Sequence, residues 1–262
     1  MQEKENTFYD FFEPDIRLLV VEQQLHIEWE YRQFSAPFWR IYWNEEPGNY
    51  ILYKGEKIDI TPDKVIVISP NTPYRAFVEI PVRHFYIHFV VKPPYNAING
   101  KIFSFPLTSE LQSGINSCIE LIRQNKYDSF RMVFVCQKII CSILADLPEK
   151  ELMNPYTDLR VRKVAQYIEN HIGEKLNNND FAKIVGMHSV ALNRLFKRQT
   201  GQTPLEYLKI HRVENACVML QFSDKSIEQI AEDLGFYDRF HFSKIFKELR
   251  GIGPAQYRNF IT

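Results

Sequence analysis

The spacing of hydrophobic positions changes near residue 108. Before it, short segments rich in β-branched and aromatic residues recur: Ile16–Val21, Leu25–Arg32, Phe38–Trp43, Tyr50–Tyr53, Lys57–Ile60, Val65–Ser69 and Val82–Phe89. Turn material separates them, such as Glu45-Glu46-Pro47-Gly48-Asn49, Lys54-Gly55 and Pro70-Asn71-Thr72-Pro73. Short strands at this spacing predict a small antiparallel barrel or sandwich. After residue 108, apolar positions return every three or four residues. Thr108–Gln124 carries Leu111, Ile115, Cys118, Ile119 and Ile122 on one stripe, and Phe130–Leu147 carries Val133, Phe134, Ile140, Ile143, Leu144 and Leu147, so two amphipathic helices are expected.

The last hundred residues contain one pattern written twice. Ala182, Gly186, Leu195-Phe196-Lys197, Thr200-Gly201, Thr203-Pro204 and Tyr207 return as Ala231, Gly235, Ile245-Phe246-Lys247, Arg250-Gly251, Gly253-Pro254 and Tyr257. Each unit reads as short helix, turn, longer helix, which is a duplicated helix-turn-helix. Ser226-Ile227-Glu228-Gln229 is a capping box, Asn177 to Asp180 is its weaker counterpart, and Thr203-Pro204-Leu205-Glu206 opens a connecting helix running to about Leu220. Two such units can place two helices in successive major grooves of one duplex.

In the second long helix, Phe242, Ile245, Phe246 and Leu249 form the core stripe and leave Arg239, Phe240, Ser243, Lys244 and Lys247 outward. In the first, Leu192, Leu195 and Phe196 are the core set and leave Val190, Asn193, Arg194 and Lys197 outward. Arg can fork onto a guanine edge, Asn onto adenine, and an apolar side chain can touch a thymine methyl. Any one of these residues taken alone also fits a solvated helix face; the repeat carries the reading.

Residues 160–260 resemble the DNA-binding domain of the AraC family of bacterial transcription regulators, most specifically in Ser226-Ile227-Glu228-Gln229-Ile230-Ala231-Glu232-Asp233-Leu234-Gly235-Phe236 and in Gly253-Pro254-Ala255-Gln256-Tyr257-Arg258. The resemblance implies seven helices, with two helix-turn-helix units and a long linking helix, and base contacts near the start of each second helix. Here that means Val190, Asn193 and Arg194, then Arg239, Phe240, Ser243 and Lys244. The chain departs from the family at Arg239-Phe240-His241, where small polar residues usually precede an aromatic third, and at His188-Ser189 in place of a serine-proline. The segment from Ile66 to Tyr74 is similar to the turn of the cupin-like sensor domain of many members, with Tyr74 where a His is common.

The expected fold is therefore α+β: a cupin-like antiparallel barrel and two helices over 1–147, a linker at 148–157, and an all-α DNA-binding domain over 158–262. The family implies a homodimer through the two helices, assigned here to Ile115, Ile119 and Ile122, although packing of that stripe against the barrel is an open alternative. A sensing barrel would hold a small effector, a sugar among the candidates, on Tyr31, Trp39, Arg40, Trp43, Tyr86 and His88, because rings stack on C–H faces while Arg, His and Tyr fix hydroxyls. The same aromatic residues also fit a plain core.

Charge supports this division. The chain has 32 basic and 32 acidic residues, but residues 1–154 hold 16 basic against 20 acidic (net −4) and residues 155–262 hold 16 against 12 (net +4). Four cysteines, Cys118, Cys136, Cys141 and Cys217, form no Cys-x-x-Cys pair and read as free buried thiols. His84 and His88 lie four apart on a strand with no acidic partner nearby, which favours structural histidines over metal ligands. Neither a phosphate loop nor a nucleophile with its base is evident, so no catalytic residue, cofactor or metal is assigned. With no membrane span and no leader, a cytoplasmic regulator is expected, contacting RNA polymerase if it activates. Two alternatives stay open: a cupin-type metalloenzyme fused to a DNA-binding module, and a regulator whose barrel only dimerises.

Overall fold

A computed structural model describes residues 15–28, 35–91, 95, 98–152 and 158–261. Trp29, Tyr31, the end of the expected Leu25–Arg32 strand and positions 153–157 of the expected linker lie outside them. The chain divides into two compact units, one within 1–30, 39–68 and 76–147, the other within 31–38, 69–75 and 148–262.

The first unit is built on two sheets, the larger of them antiparallel throughout. A five-stranded sheet has the order β1-β7-β2-β5-β8, from β1 (Ile16–His26), β2 (Trp39–Asn44), β5 (Lys64–Ile68), β7 (Val82–Val91) and β8 (Ile102–Pro106). A three-stranded sheet has the order β4-β3-β6, from β3 (Asn49–Tyr53), β4 (Glu56–Ile60) and β6 (Arg75–Val78). β1 bridges the break expected after Val21, running through Glu22-Gln23-Gln24, which pair with Tyr86, Phe85 and His84, and ends at His26. As an edge strand β1 tolerates the polar run that suggests a break in the sequence. Two strands were not expected, the four-residue β6 and the edge strand β8, which ends on Pro106.

Cross-strand pairing sorts the large sheet into two faces, because side chains alternate along a strand and directly opposed residues share a side. Trp39, Ile41 and Trp43 stand opposite Phe89, Ile87 and Phe85 on an apolar face. Trp39 there stacks near Phe89 and Phe103, with ring centres 6.1 and 6.4 Å away. Arg40, Tyr42 and Asn44 stand opposite His88, Tyr86 and His84 on the other.

Two helices follow, α1 (Ser109–Arg123) and α2 (Phe130–Ala145), each capped by a hydroxyl: Leu111 N donates to Thr108 Oγ1 and Met132 N to Ser129 Oγ. They pack closely. A methyl group on Gly114 would stand 2.8 Å from Ile139 Cγ1, and Cys118 Sγ lies 3.7 Å from Cys136 Sγ. This corrects the dimer assignment, since Ile115, Ile119 and Ile122 are only 0, 3 and 9% exposed within the chain itself. It also corrects the α2 stripe: Val133 and Phe134, expected inside, face outward with Phe130. Cys118, Cys136 and Cys217 are buried as expected, whereas Cys141 is exposed.

In the second unit, α3 (Glu149–Leu152) lies inside the expected linker, and seven helices follow: α4 (Leu159–Asn170), α5 (Asn178–Ile184), α6 (Ser189–Thr200), α7 (Pro204–Phe222), α8 (Ile227–Asp233), α9 (Arg239–Arg250) and α10 (Pro254–Ile261). Two apolar clusters form. Val161, Val164, Ile168, Phe181, Leu192 and Phe196 centre one; Val213, Leu220, Ile230, Phe236, Phe242 and Phe246 centre the other. Ile172 packs against both, and Gly173 and Gly235 meet there so closely that a methyl group on Gly235 would stand 2.5 Å from the Gly173 carbonyl oxygen. Among the described residues no helix is long and apolar enough to cross a membrane.

Candidate nucleic-acid interface and barrel interior

Each helix pair is held by local chemistry that fixes where its second helix begins. Asn177, Thr203 and Ser226 all make complete capping boxes, with Asp180, Glu206 and Gln229 returning the hydrogen bond to the cap backbone. The Asn177 box forms fully despite the short Asp180 side chain. The second helices α6 and α9 are capped by His188, whose Nδ1 accepts from Val190 N at 3.4 Å, and by Asp238, whose Oδ1 accepts from His241 N at 2.7 Å. Both end at a glycine in the left-handed region, Gly201 (φ 78) and Gly251 (φ 79), whose N–H groups close onto the carbonyls of Lys197 and Lys247.

The residues expected to read DNA stand away from the core on both helices. On α6, Val190, Arg194 and Lys197 are exposed and Asn193 is half-buried; on α9, Arg239, Phe240, Lys244 and Lys247 are exposed and Ser243 is half-buried. Leu249, expected in the core, sits at its rim, and Ile245 is partly covered. The structure adds Tyr237, directly before the α9 cap, as an outward ring. A neighbouring Asp masks it in the sequence, where Tyr237-Asp238 reads as turn material. Arg239 pairs with Glu228 of α8, and its guanidinium carbon lies 4.7 Å from the centre of the Phe240 ring. Glu228 is held below the usual carboxylate range by its own backbone N–H at the start of α8 and then by Arg239.

α7 links the two pairs. Its 19 residues span about 28 Å at 1.5 Å each. From it Arg212 donates to the carbonyls of Ile172 (2.9 Å) and Glu174 (2.5 Å), while Arg258 of α10 donates to those of Leu220 (3.3 Å) and Lys225 (2.5 Å). These bonds tie each helix pair to the linking helix through loops that have no ladder of their own.

The second candidate site is the polar face of the large sheet. It looks toward the smaller sheet, because Asn44 Nδ2 donates to Asn49 Oδ1 (2.5 Å) and to the Ile60 carbonyl (3.3 Å). His84 Nδ1 lies 2.8 Å from Asn44 Oδ1; with that oxygen able only to accept, Nδ1 carries the proton. The His26 ring lies tilted 4.8 Å from that of His84, Tyr86 lies 5.0 Å from His88, and Tyr86 Oη donates to Glu22 at 2.9 Å. Burial pushes the imidazoles of His84 and His88 well below their ordinary value, helped at His84 by His26 and His88 and at His88 by Arg40. His26 is lowered by burial and raised in part by Glu22. Arg40, Tyr86 and His88 thus share one face. Trp39 and Trp43, assigned with them from the sequence, belong to the apolar face, with Trp43 Nε1 donating to the Pro62 carbonyl at 3.1 Å. Asn44, Asn49 and His84 join the polar face instead; Asn49 was missed because it reads as a turn residue. No group of three or more His, Cys, Asp or Glu among the described residues is placed to hold a metal ion.

A family model described as a helix-turn-helix domain matches residues 181–259. The arabinose operon regulatory protein of Escherichia coli is 31% identical over 111 residues, 41% of this chain and 37% of that protein. YidL, an uncharacterised HTH-type transcriptional regulator of the same organism, is 27% identical over 217 residues, 79% of this chain and 70% of that protein. A structure of ToxT from Vibrio cholerae, 12% identical, covers 94% of this chain and 99% of its own at a TM-score of 0.55, and so shares the architecture. The chain spans less than half the length of several of the curated relatives it matches. With its duplicated helix pairs, capped and spaced alike, the region around residues 181–259 is similar to the DNA-binding domain of AraC-type transcription regulators.

Proposed function

We propose that this chain is a cytoplasmic, homodimeric regulator that binds double-stranded DNA by laying α6 and α9 in successive major grooves, and whose sheet unit controls that binding through a small effector. The observation that carries the DNA reading is the pair of equivalent helices with outward Asn, Arg, Lys and apolar side chains on cores that the same residues do not enter. A net charge of +4 on residues 155–262 supports phosphate contact, though too few charges for tight binding by one copy. The test is selection of duplexes from a random library by the full chain, followed by footprinting. Protection of two segments about one helical turn apart is expected; sequence-indifferent binding, or a single protected segment per chain, counts against it.

The polar sheet face supports an effector rich in hydroxyl or anionic groups. The arabinose operon regulatory protein is named for a sugar operon, and one ToxT structure holds an unsaturated fatty acid. Arg40, His84, His88, Tyr42 and Tyr86 favour a sugar-like or acidic ligand over an aliphatic chain. An effector changes regulation only if it binds one arrangement of the protein better than another. For dimer formation, the outward stripe of Phe130, Val133 and Phe134 on α2 replaces the buried isoleucines, and 148–157 is the proposed boundary between the domains. An activating member would also contact RNA polymerase.

A further inference from the structure

The two reading helices do not present the same chemistry. At the start of α6 the outward apolar group is Val190, flanked by Asn193 and Arg194. At the start of α9 two rings stand in solvent, Tyr237 at 85% and Phe240 at 70% exposure, and nothing equivalent exists in the first pair. Phe240 is also held in place. The Asp238 cap fixes the helix start, the Arg239 guanidinium lies over the ring, and its Nη1 donates to Glu228 of α8. A guanidinium already engaged by a ring and by a carboxylate is less free to fork onto a guanine edge. Lys244 and Lys247 on the same helix supply positive charge suited to phosphates. The apolar group that a major groove offers to such a ring is the pyrimidine 5-methyl group.

We propose that Phe240, braced by Arg239 and Glu228, reads the 5-methyl group of a thymine in the half-site under α9, so that Arg239 positions the ring instead of reading a base. The proposal rests on α9 entering a major groove. It makes Glu228 a positioning residue for specificity, outside the helix that touches DNA.

The test uses the full chain and a duplex selected from a random library, in which each thymine in turn is replaced by deoxyuridine to remove only its methyl group. One or two replacements in the segment under α9 are expected to weaken binding about four-fold, what burial of one methyl group supplies. The effect should vanish in Phe240→Ala, persist in Phe240→Leu and shrink in Glu228→Gln, while Glu228→Gln leaves affinity for a scrambled duplex equal or higher. Tolerance of deoxyuridine at every position, or the same sensitivity in Phe240→Ala as in the parent chain, overturns the proposal. So does a Phe240→Ala variant that keeps all its DNA affinities yet loses transcriptional output, because the ring would then dock on a protein. If no duplex is enriched at all, the DNA reading fails and takes this proposal with it.

Discussion

Arg194 and Lys244 occupy equivalent places in the repeat, each directly before the buried Leu-Phe or Ile-Phe pair, yet they differ in what they can recognise. Arg forks onto a guanine edge, while Lys offers a point charge. Arg194→Ala is expected to cost about 1–3 kcal/mol on the preferred duplex and to relax preference at one or two base pairs. Lys247→Ala, one turn farther from the helix start, should weaken selected and scrambled duplexes alike and flatten the salt dependence. Titrations of both duplexes at two salt concentrations separate the two roles, and equal losses for Arg194→Ala on both would remove it from the base-reading set. At this scale the sequence was informative wherever the signal is local. Ser226 and Thr203 are followed three residues later by Gln229 and Glu206, and both boxes form. What a residue touches across strands was less legible: strand alternation puts Trp39 and Arg40 on opposite faces of one sheet, but that His88 stands opposite Arg40 and Phe89 opposite Trp39 shows only in the pairing.

Elements show the same division between local pattern and tertiary context. The span of α1 and its apolar stripe were readable because a 3.6-residue period needs no partner to be seen. Which side of α2 faces water was not, since Val133 and Phe134 are as apolar as the buried Ile139 and Ile143. The consequence is a prediction that separates dimer contact from core. Phe130→Glu with Phe134→Glu, at positions 83 and 66% exposed, should give folded monomers with weakened operator binding. Ile119→Glu should instead unfold the sheet unit, because an unpaired charge in that packed site costs on the order of 3 kcal/mol or more. Sedimentation velocity and thermal melting read both outcomes. Dimers that survive the Phe130 and Phe134 changes would place the interface elsewhere.

For the whole molecule, the buried imidazoles give the sheet unit a pH signature. His84 and His88, and to a lesser degree His26, bind a proton less readily in the folded chain than in the unfolded one, where the value is about 6.5. Below that pH the unfolded state therefore carries more protons, so stability is full above about pH 6.5 and is lost as pH falls toward the lower folded values. Each buried imidazole contributes a slope of up to about 1.4 kcal/mol per pH unit in that window. Calorimetry of the full chain between pH 7.5 and 5.5 should then show one transition that moves down with acid, less steeply in His88→Gln. Cleavage within 148–157 should yield a carboxyl-terminal fragment that lacks this moving transition and retains weak DNA binding. A single transition that shifts as a whole, and no cut at 148–157, would mean that the two units fold as one cooperative body. The effector and the operator would then be coupled through global stability, and a ligand on the polar sheet face would raise the melting temperature of the DNA-binding helices along with its own unit.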